Sequence, residues 1–233
     1  MFVLLLVFGL VIGSFLGALS YRLPRRISIS EGRSECPNCH RQISWFDNIP
    51  LFSFLFLLGK CRNCKQKISF RYPLIELSTA IIFIIIGFNI VHLIIASVLI
   101  AIFVIDLETQ IIPDELVFIG IVVFLLAGFS FINLLAGLLS ALILLLLNIM
   151  TKGKGMGLGD VKLALLLGAM VGLDKFLIWL FFSFASGAIV GIMLILFKSA
   201  GLKQKIAFGP FLIIGLVLTI FFGSQFLVVL GFR

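Results

Sequence analysis

Two aspartates are the residues of this chain best suited to chemistry, because each closes a stretch with few other ionisable groups. Asp106 ends the run IIASVLIAIFVID, and Asp160 ends GKGMGLGD, just ahead of VKLALLLGAMVG. An ionisable side chain near a hydrocarbon core is costly, so a functional role is the first hypothesis for it. Two carboxylates that meet can hydrolyse a peptide, since the ionised one takes a proton from water and the neutral one donates to the carbonyl. We therefore predict that Asp106 and Asp160 form a catalytic pair.

The elements that position this pair must lie in a bilayer. Of the 233 residues, 62% are hydrophobic and only 12% are charged, whereas a soluble domain has about 25% charged residues. A spanning helix needs about 20 apolar residues. Stretches without Asp, Glu, Lys or Arg cover 1–21, 116–150, 176–197 and 207–232, and 73–105 contains only Glu76 and His92 as ionisable groups.

The two longest stretches, 73–105 and 116–150, exceed one crossing, so we expect each to form a helical hairpin. The predicted turns lie near 87–92 and near 128–133. A short segment at 161–173 can cross if it tilts or the bilayer thins. The prediction is an all-α polytopic membrane protein with about eight transmembrane helices. One long tilted helix or a re-entrant segment in place of a hairpin is the alternative.

The distribution of positive charge predicts the topology. Residues 22–72 hold ten of the 18 Lys and Arg residues, and such segments stay in the cytoplasm. Lys152, Lys154, Lys198, Lys203 and Lys205 then fall on the same side. No Lys or Arg precedes the first apolar run, so we expect a retained anchor with its N-terminus outside rather than a signal peptide. This topology places both aspartates at the cytoplasmic boundary. Because the basic residues lie beside membrane spans, we expect the net charge of +8 to attract anionic lipid rather than nucleic acid.

Four cysteines organise the segment that follows the first helix. Cys36 and Cys39 form one C-x2-C pair, Cys61 and Cys64 form another, and together they are all the cysteines of the chain. This spacing is typical of a four-cysteine zinc site, and thiols stay reduced in the cytoplasm, which disfavours two disulfides. Four thiolates leave no open position for a catalytic water, so we predict a structural Zn²⁺. His40 is expected to be a neighbour of the site and no ligand.

Three segments follow as the predicted domains: the first transmembrane helix at 1–21, a cytoplasmic zinc-binding insert at 22–72, and a membrane-embedded catalytic domain at 73–233. Within the insert, the apolar run at 51–59 is too short to span. We expect it to pack on the membrane surface or against the zinc-binding part.

The two aspartates should differ, because they are expected at opposite kinds of helix end. Asp106 lies near a C-terminus, where the helix dipole disfavours an anion, and Asp160 lies at the start of a helix beginning at Val161. Alone, Asp160 would suit a plain N-cap. As one of a coupled pair, it is the predicted ionised base and Asp106 the protonated donor.

Several motifs together resemble a known family. They are GSFLGALSYRLP at 13–24, the two cysteine pairs, RYPLIEL at 71–77, IDLETQIIPDEL at 105–116, GLGDVKLALLLGAMVG at 157–172 and AFGPFL at 207–212. In this order they are similar to the bacterial prepilin peptidases, also called type IV prepilin leader peptidases, which are GxGD-type membrane aspartic proteases. By this resemblance, Asp106 and Asp160 match the two catalytic aspartates. The Phe-Gly-Pro sequence at 208–210 is expected to bend the backbone at the start of the last helix.

The resemblance implies an enzyme of the bacterial inner membrane that removes the basic leader from prepilin or pseudopilin precursors at the cytoplasmic face. Many members also methylate the new N-terminus with S-adenosylmethionine. We expect Gly157 and Gly159 to let an extended substrate backbone approach, and Glu108 and Asp114 to attract the basic leader. For Asp114 and Glu115, placement in a first helical turn after Pro113 is the alternative.

Three other functions compete with this one. Membrane carboxylates also serve proton- or ion-coupled carriers, but such carriers show internal repeats, and this chain shows none. A zinc-organised scaffold without activity would tolerate loss of both aspartates. The archaeal preflagellin peptidases are the nearest enzymatic alternative, and the four-cysteine insert favours the bacterial branch.

Overall fold

The regular secondary structure of the described residues consists of helices joined by loops and turns. The computed structural model describes residues 2–29, 34–128, 130–197 and 206–229. Arg33, Lys198, Lys203 and Lys205, which enter the charge argument, lie outside the described residues. The helices are α1 (Phe2–Arg22), α2 (Phe52–Phe56), α3 (Arg71–Ile86), α4 (Ile90–Thr109), α5 (Asp114–Ala127), α6 (Phe131–Met150), α7 (Leu158–Val171), α8 (Phe176–Leu196) and α9 (Gly209–Val229). The expected all-α polytopic class is confirmed.

Five of the described helices are long and apolar enough to cross a membrane, namely α1, α4, α6, α8 and α9. The other three long helices are shorter, with 16 residues in α3 and 14 each in α5 and α7. A helix of 14 residues spans about 21 Å, against roughly 30 Å of hydrocarbon. The breaks expected near 87–92 and 128–133 are present, but eight complete crossings stay a prediction.

The chain divides into two compact units, Met1–Ala101 and Ile102–Arg233. This division differs from the three predicted segments, because α1 packs against α3 and joins it in one unit. The separate roles assigned to 1–21, 22–72 and 73–233 therefore stay a prediction.

In the first unit, α1 and α3 pack backbone against backbone. A Cβ at Gly13 of α1 would lie 2.6 Å from the Cα of Glu76 in α3, so only glycine allows this approach. Arg71 at the start of α3 donates to the Gly17 carbonyl at 2.9 Å and to the Ser20 hydroxyl at 2.8 Å, both in α1. Small residues and satisfied polar groups of this kind hold helices together in lipid.

In the second unit, α7 packs against α5, α6 and α9, and α8 packs against α9. The fully buried Trp179 of α8 donates its indole N–H to the Leu212 carbonyl of α9 at 2.9 Å. Asp114, the first residue of α5, and Lys162, the fifth residue of α7, form an ion pair that joins the two helices. The beginning of α9 lies at the end of α4, and this end of the unit holds both aspartates.

Candidate active site

Asp106 lies in the last turn of α4, as the sequence predicts, and its side chain is 4% exposed. Its Oδ2 accepts a hydrogen bond of 2.9 Å from the backbone N–H of Gly209, the first residue of α9. The first N–H groups of a helix have no partner within the helix. A buried carboxylate thus takes one of the free donors of α9, which satisfies both groups.

Asp160 lies in the first turn of α7, and its side chain is 7% exposed. The helix begins at Leu158, three residues earlier than expected, because Gly157 serves as its N-cap. Asp160 is therefore the third helical residue, and its Oδ2 accepts the N–H of Gly157 at 3.0 Å. The alternative of Asp160 as the N-cap itself is wrong, since its side chain reaches back to the N-cap backbone, as in a capping box.

Both aspartates line one cleft of about 240 Å³. The other lining residues are Gln110, Ile111, Ile112, Asp114, Gly157 and Gly159. The structure thus brings together the predicted catalytic pair and three of the four residues predicted to bind substrate. Glu108 is exposed and does not line the cleft, so its attraction for a basic leader stays a prediction of long-range electrostatics.

The glycines beside Asp160 serve packing as well as any approach of substrate. A Cβ at Gly159 would lie 3.0 Å from the Cβ of Ile112, and one at Gly157 would lie 3.3 Å from Oδ2 of Asp160. Ile112 thus sits directly on Gly159, at the connection between α4 and α5. Contact of either glycine with a substrate backbone stays a prediction.

The structure removes one reason for assigning Asp160 as the ionised base and Asp106 as the protonated donor. From the sequence, backbone donors were expected at Asp160 alone, because it lies at a helix N-terminus. Gly209 supplies an equivalent donor to Asp106 from a different helix. With one backbone N–H on each carboxylate, local hydrogen bonding no longer distinguishes base from acid, and the assignment stays a prediction.

Asp114 is paired more closely than the sequence suggested. Both of its carboxylate oxygens lie 2.7 Å from Nζ of Lys162, and both side chains are largely exposed. Asp114 and Glu115 also lie in the first turn of α5, where the alternative placed them, with Pro113 as the N-cap. Lys162 thus offsets part of the negative charge at the cleft.

The four cysteines form a second centre, in the first unit. The four Sγ atoms all lie within 4.8 Å of one another, and Sγ of Cys36 lies 3.8 Å from Sγ of Cys64. Four sulfurs at about 2.3 Å from a tetrahedral zinc are about 3.8 Å apart. His40 is no member of this group. The cluster can therefore bind a metal ion, and its donor set fits zinc.

The backbone around the cysteines favours thiolates. The pKa of Cys36 is lowered by hydrogen bonds from the backbone N–H groups of Cys39 and Asn38. The Gln66 N–H, followed by Asn38, lowers the pKa of Cys64 to about 6. For Cys39, a bond from the Arg41 backbone opposes burial and the neighbouring sulfurs, and the pKa rises to about 11. Neighbouring thiolates repel one another, and a metal ion would offset this repulsion by binding all four sulfurs.

Four residues of the cleft and its support were not identified from the sequence, namely Gly209, Gln110, Ile111 and Ile112. A Gly-Pro step predicts only a bend, and the contact of Gly209 with Asp106 joins residues 103 positions apart. Gln110 lines the cleft with a left-handed backbone, φ 55°, which no residue type in its neighbourhood signals.

Comparison with known proteins assigns the chain to a protein family. A family model described as the type IV leader peptidase family matches residues 93–192, and one described as the bacterial peptidase A24 N-terminal domain matches 7–90. A prepilin leader peptidase/N-methyltransferase of Aeromonas salmonicida (strain A449) is 34% identical over 96% of this chain and 91% of its own length. The chain belongs to the type IV leader peptidase family.

Other members of the type IV leader peptidase family are similar over nearly the same extent. A prepilin leader peptidase/N-methyltransferase of Bacillus subtilis (strain 168) is 34% identical over 95% of this chain and 94% of its own length. One of Neisseria gonorrhoeae is 32% identical over 88% and 84%, respectively. No solved structure gives a significant match. The resemblance read from the motifs is confirmed, and the carrier alternative is not favoured.

Proposed function

We propose that this protein is an aspartic endopeptidase of the membrane that removes the basic leader from prepilin or pseudopilin precursors. One observation carries the proposal. Asp106 and Asp160, which are distant in sequence, are both buried, line the same cleft, and have one oxygen each fixed by a backbone N–H. Membership of the type IV leader peptidase family supports the reaction class.

The cleft suits a two-carboxylate hydrolysis. The ionised aspartate removes a proton from water, which attacks the carbonyl carbon of the scissile peptide, while the protonated aspartate donates to the carbonyl oxygen. Proton transfer to the amine then releases the leader. Because Oδ2 of each residue is held by an amide, Oδ1 is the oxygen to which we assign the proton transfers. Peptide binding at Gly157, Gly159 and Asp114 belongs to the same proposal.

We further propose that Cys36, Cys39, Cys61 and Cys64 hold one structural Zn²⁺. The cluster lies at two short hairpins, whose ends pair Glu35 with Gln42 and Lys60 with Lys67. Zinc would tie the two hairpins together and take no part in hydrolysis, since all four of its positions would be filled by thiolates.

N-methylation of the new N-terminus is the proposed second activity, because the relatives carry it in their names. S-adenosylmethionine would then be the methyl donor. We also propose placement in the bacterial cytoplasmic membrane with the cleft facing the cytoplasm, where the positive-inside rule puts it. The basic segments at this face would attract anionic lipid.

The test uses the purified protein in detergent with a pilin-type precursor, followed by mass analysis. Wild type should remove the leader, and Asp106→Asn and Asp160→Asn should each abolish removal. Asp174→Asn is the matched control, because Asp174 is an exposed aspartate in the turn between α7 and α8. Wild-type turnover by either cleft variant would contradict the catalytic pair. An added methyl group that depends on S-adenosylmethionine would establish the second activity.

A further inference from the structure

The insert exposes a concentrated apolar surface. Trp45, Phe52, Leu55, Phe56 and Leu58, which we term the apolar face, are each more than half exposed, and Phe56 reaches 84%. Scattered apolar residues on a surface are ordinary, but a contiguous group marks an interaction site. Four of these five belong to the seven residues from Phe52 to Leu58, on and just after α2.

The opposite side of α2 is packed, so the exposure is a property of one face. The ring of Phe54 meets the ring of Phe70 edge-on at 5.6 Å between centroids. A Cβ at Gly59 would lie 3.0 Å from the same Phe54 ring. The short helix is therefore fixed in orientation, with Phe52, Leu55 and Phe56 pointing outward.

A hydrogen bond fixes the depth of this face. The backbone N–H of Leu51, immediately before α2, donates to Oε2 of the buried Glu76 at 2.8 Å. Glu76 is the sixth residue of α3, less than two turns from its start. Beyond it α3 continues as LSTAIIFIII without a charge. The apolar face therefore lies at the level where α3 changes from polar chain to apolar helix.

Charge and shape then indicate the partner. Residues 34–72 contain six Lys and Arg but only two Asp and Glu. Phe46, Ile49, Phe52 and Phe56 line a cavity of about 370 Å³, together with Arg62 and Asp47, which form an ion pair of 2.7 Å. Apolar and aromatic side chains beside basic residues are the composition of segments that lie in the interface of an anionic bilayer.

We propose that the apolar face is a lipid-contact surface that lies in the membrane interface beside α3 and prefers anionic phospholipid. Trp45, Phe52 and Phe56 enter the boundary of the acyl chains, while the exposed Lys60, Lys65 and Lys67 meet the headgroup phosphates. Glu76 holds the insert at this depth through Leu51. The lipid contact is independent of which reaction the cleft catalyses.

The chain carries its own reporter for this contact. Its two tryptophans are Trp45, which is 81% exposed, and Trp179, which is fully buried. The full-length protein is placed in nanodiscs of phosphatidylcholine and phosphatidylglycerol, with or without bromine near the carbonyl end of the acyl chains. The difference between wild type and Trp45→Phe isolates the emission of Trp45. We expect brominated lipid to remove most of that emission, and iodide in the water to remove little.

Two further measurements test the surface and its lipid preference. Phe52→Ser together with Phe56→Ser should reduce the quenching by lipid, whereas Phe88→Ser, in the turn between α3 and α4, should leave it unchanged. Zinc content is measured for each variant to show that the cysteine cluster persists. Nanodiscs without phosphatidylglycerol should show weaker quenching.

Three results would overturn the proposal. Quenching of Trp45 by iodide but not by brominated lipid would place the face in water. Shielding that arises only after a precursor is added would assign the face to the substrate. Equal quenching with and without phosphatidylglycerol would remove the preference for anionic lipid.

Discussion

The backbone N–H of Gly209 donates to Oδ2 of Asp106 at 2.9 Å, and a side chain on Gly209 would occupy the same space. A Cβ built there lies 2.7 Å from this oxygen and 3.1 Å from Cδ1 of Ile112. Real Cβ atoms do not approach an oxygen so closely, so the carboxylate and the start of α9 can meet only at glycine. The geometry of the proposed catalytic pair thus depends on a residue that carries no functional group.

Gly209→Ala should therefore cause a large loss of leader cleavage with little loss of folded protein. The methyl group has to displace the Asp106 carboxylate or the first turn of α9, and a displacement of about 1 Å can cost about 100-fold in rate. The measurement is kcat/KM on a precursor, with thermal unfolding in detergent measured alongside.

Gly191→Ala in α8 is the matched control for this change. Among the described residues, the atom nearest to a Cβ added there is Cδ1 of Ile206 at 3.9 Å, an ordinary contact distance. We expect wild-type cleavage from this variant. Equal activity of the Gly209 and Gly191 variants would show that the bond to Asp106 does not matter for catalysis.

Gln110 offers a test of substrate contact that separates function from stability. It lines the cleft with φ 55°, and its N–H donates to the Asp106 carbonyl at 2.9 Å, where it ends α4. Glycine adopts this conformation without strain. We expect Gln110→Gly to leave thermal stability unchanged or slightly higher, and to raise the KM for a precursor several-fold because the side chain is lost from the cleft.

Lys152→Gly controls for the backbone effect. Lys152 is exposed, has φ 50°, and lies in the loop before α7 without lining the cleft. It should show the same change in stability and no change in KM. If both variants keep the wild-type KM, Gln110 serves only to end the helix.

The sequence predicted the chemical groups of both centres because their signals are local. A carboxylate at the edge of an apolar run and two C-x2-C pairs are visible in a few consecutive residues. The helices that carry the two aspartates are likewise specified by apolar stretches and by breaks such as Gly87, which has φ 74°. Asp106, Asp160 and the four cysteines could therefore be predicted as site residues without any three-dimensional information.

The contacts that tune these groups could not be predicted in this way. The donor to Asp106 comes from α9, and the cation beside Asp114 comes from α7. Each contact depends on how the helices pack, and the residue types near either partner in the sequence do not indicate that packing. The start of α7 was misplaced for a related reason, since Asp160 suits both an N-cap and the third helical position.

Removal of zinc should open the insert and spare the cleft. Metal binding requires thiolates, so acidification should weaken binding and favour release of the ion. After treatment with a chelator under reducing conditions, trypsin should cut at Lys60, Lys65 or Lys67 much faster than before. Methylation should fall more than leader cleavage.

Cys61→Ser should reproduce the effect of the chelator, and His40→Asn should not. His40 directly follows Cys39 but is no member of the sulfur cluster, and asparagine tolerates its left-handed backbone, φ 54°. Purified protein with reduced thiols and no zinc on metal analysis would rule out the site.

The pair of Asp114 and Lys162 allows the electrostatic attraction of a basic leader to be tested in both directions. The two side chains are exposed, and such ion pairs contribute only about 0–1 kcal/mol to stability. Their removal should therefore change the potential at the cleft much more than the fold. Asp114→Asn makes the cleft more positive and should raise the KM for a precursor. Lys162→Gln makes it more negative and should lower the KM.

Both shifts should be largest at low ionic strength and fade as salt screens the charges. Glu108→Gln should act like Asp114→Asn but more weakly, since Glu108 lies outside the cleft lining. Initial rates over a range of precursor concentrations, at low and high salt, give the comparison. If Asp114→Asn and Lys162→Gln shift KM in the same direction, the ion pair acts by joining α5 and α7 rather than through its charge. Opposite shifts that vanish at high salt would establish the acidic side of the cleft as the part that attracts the leader.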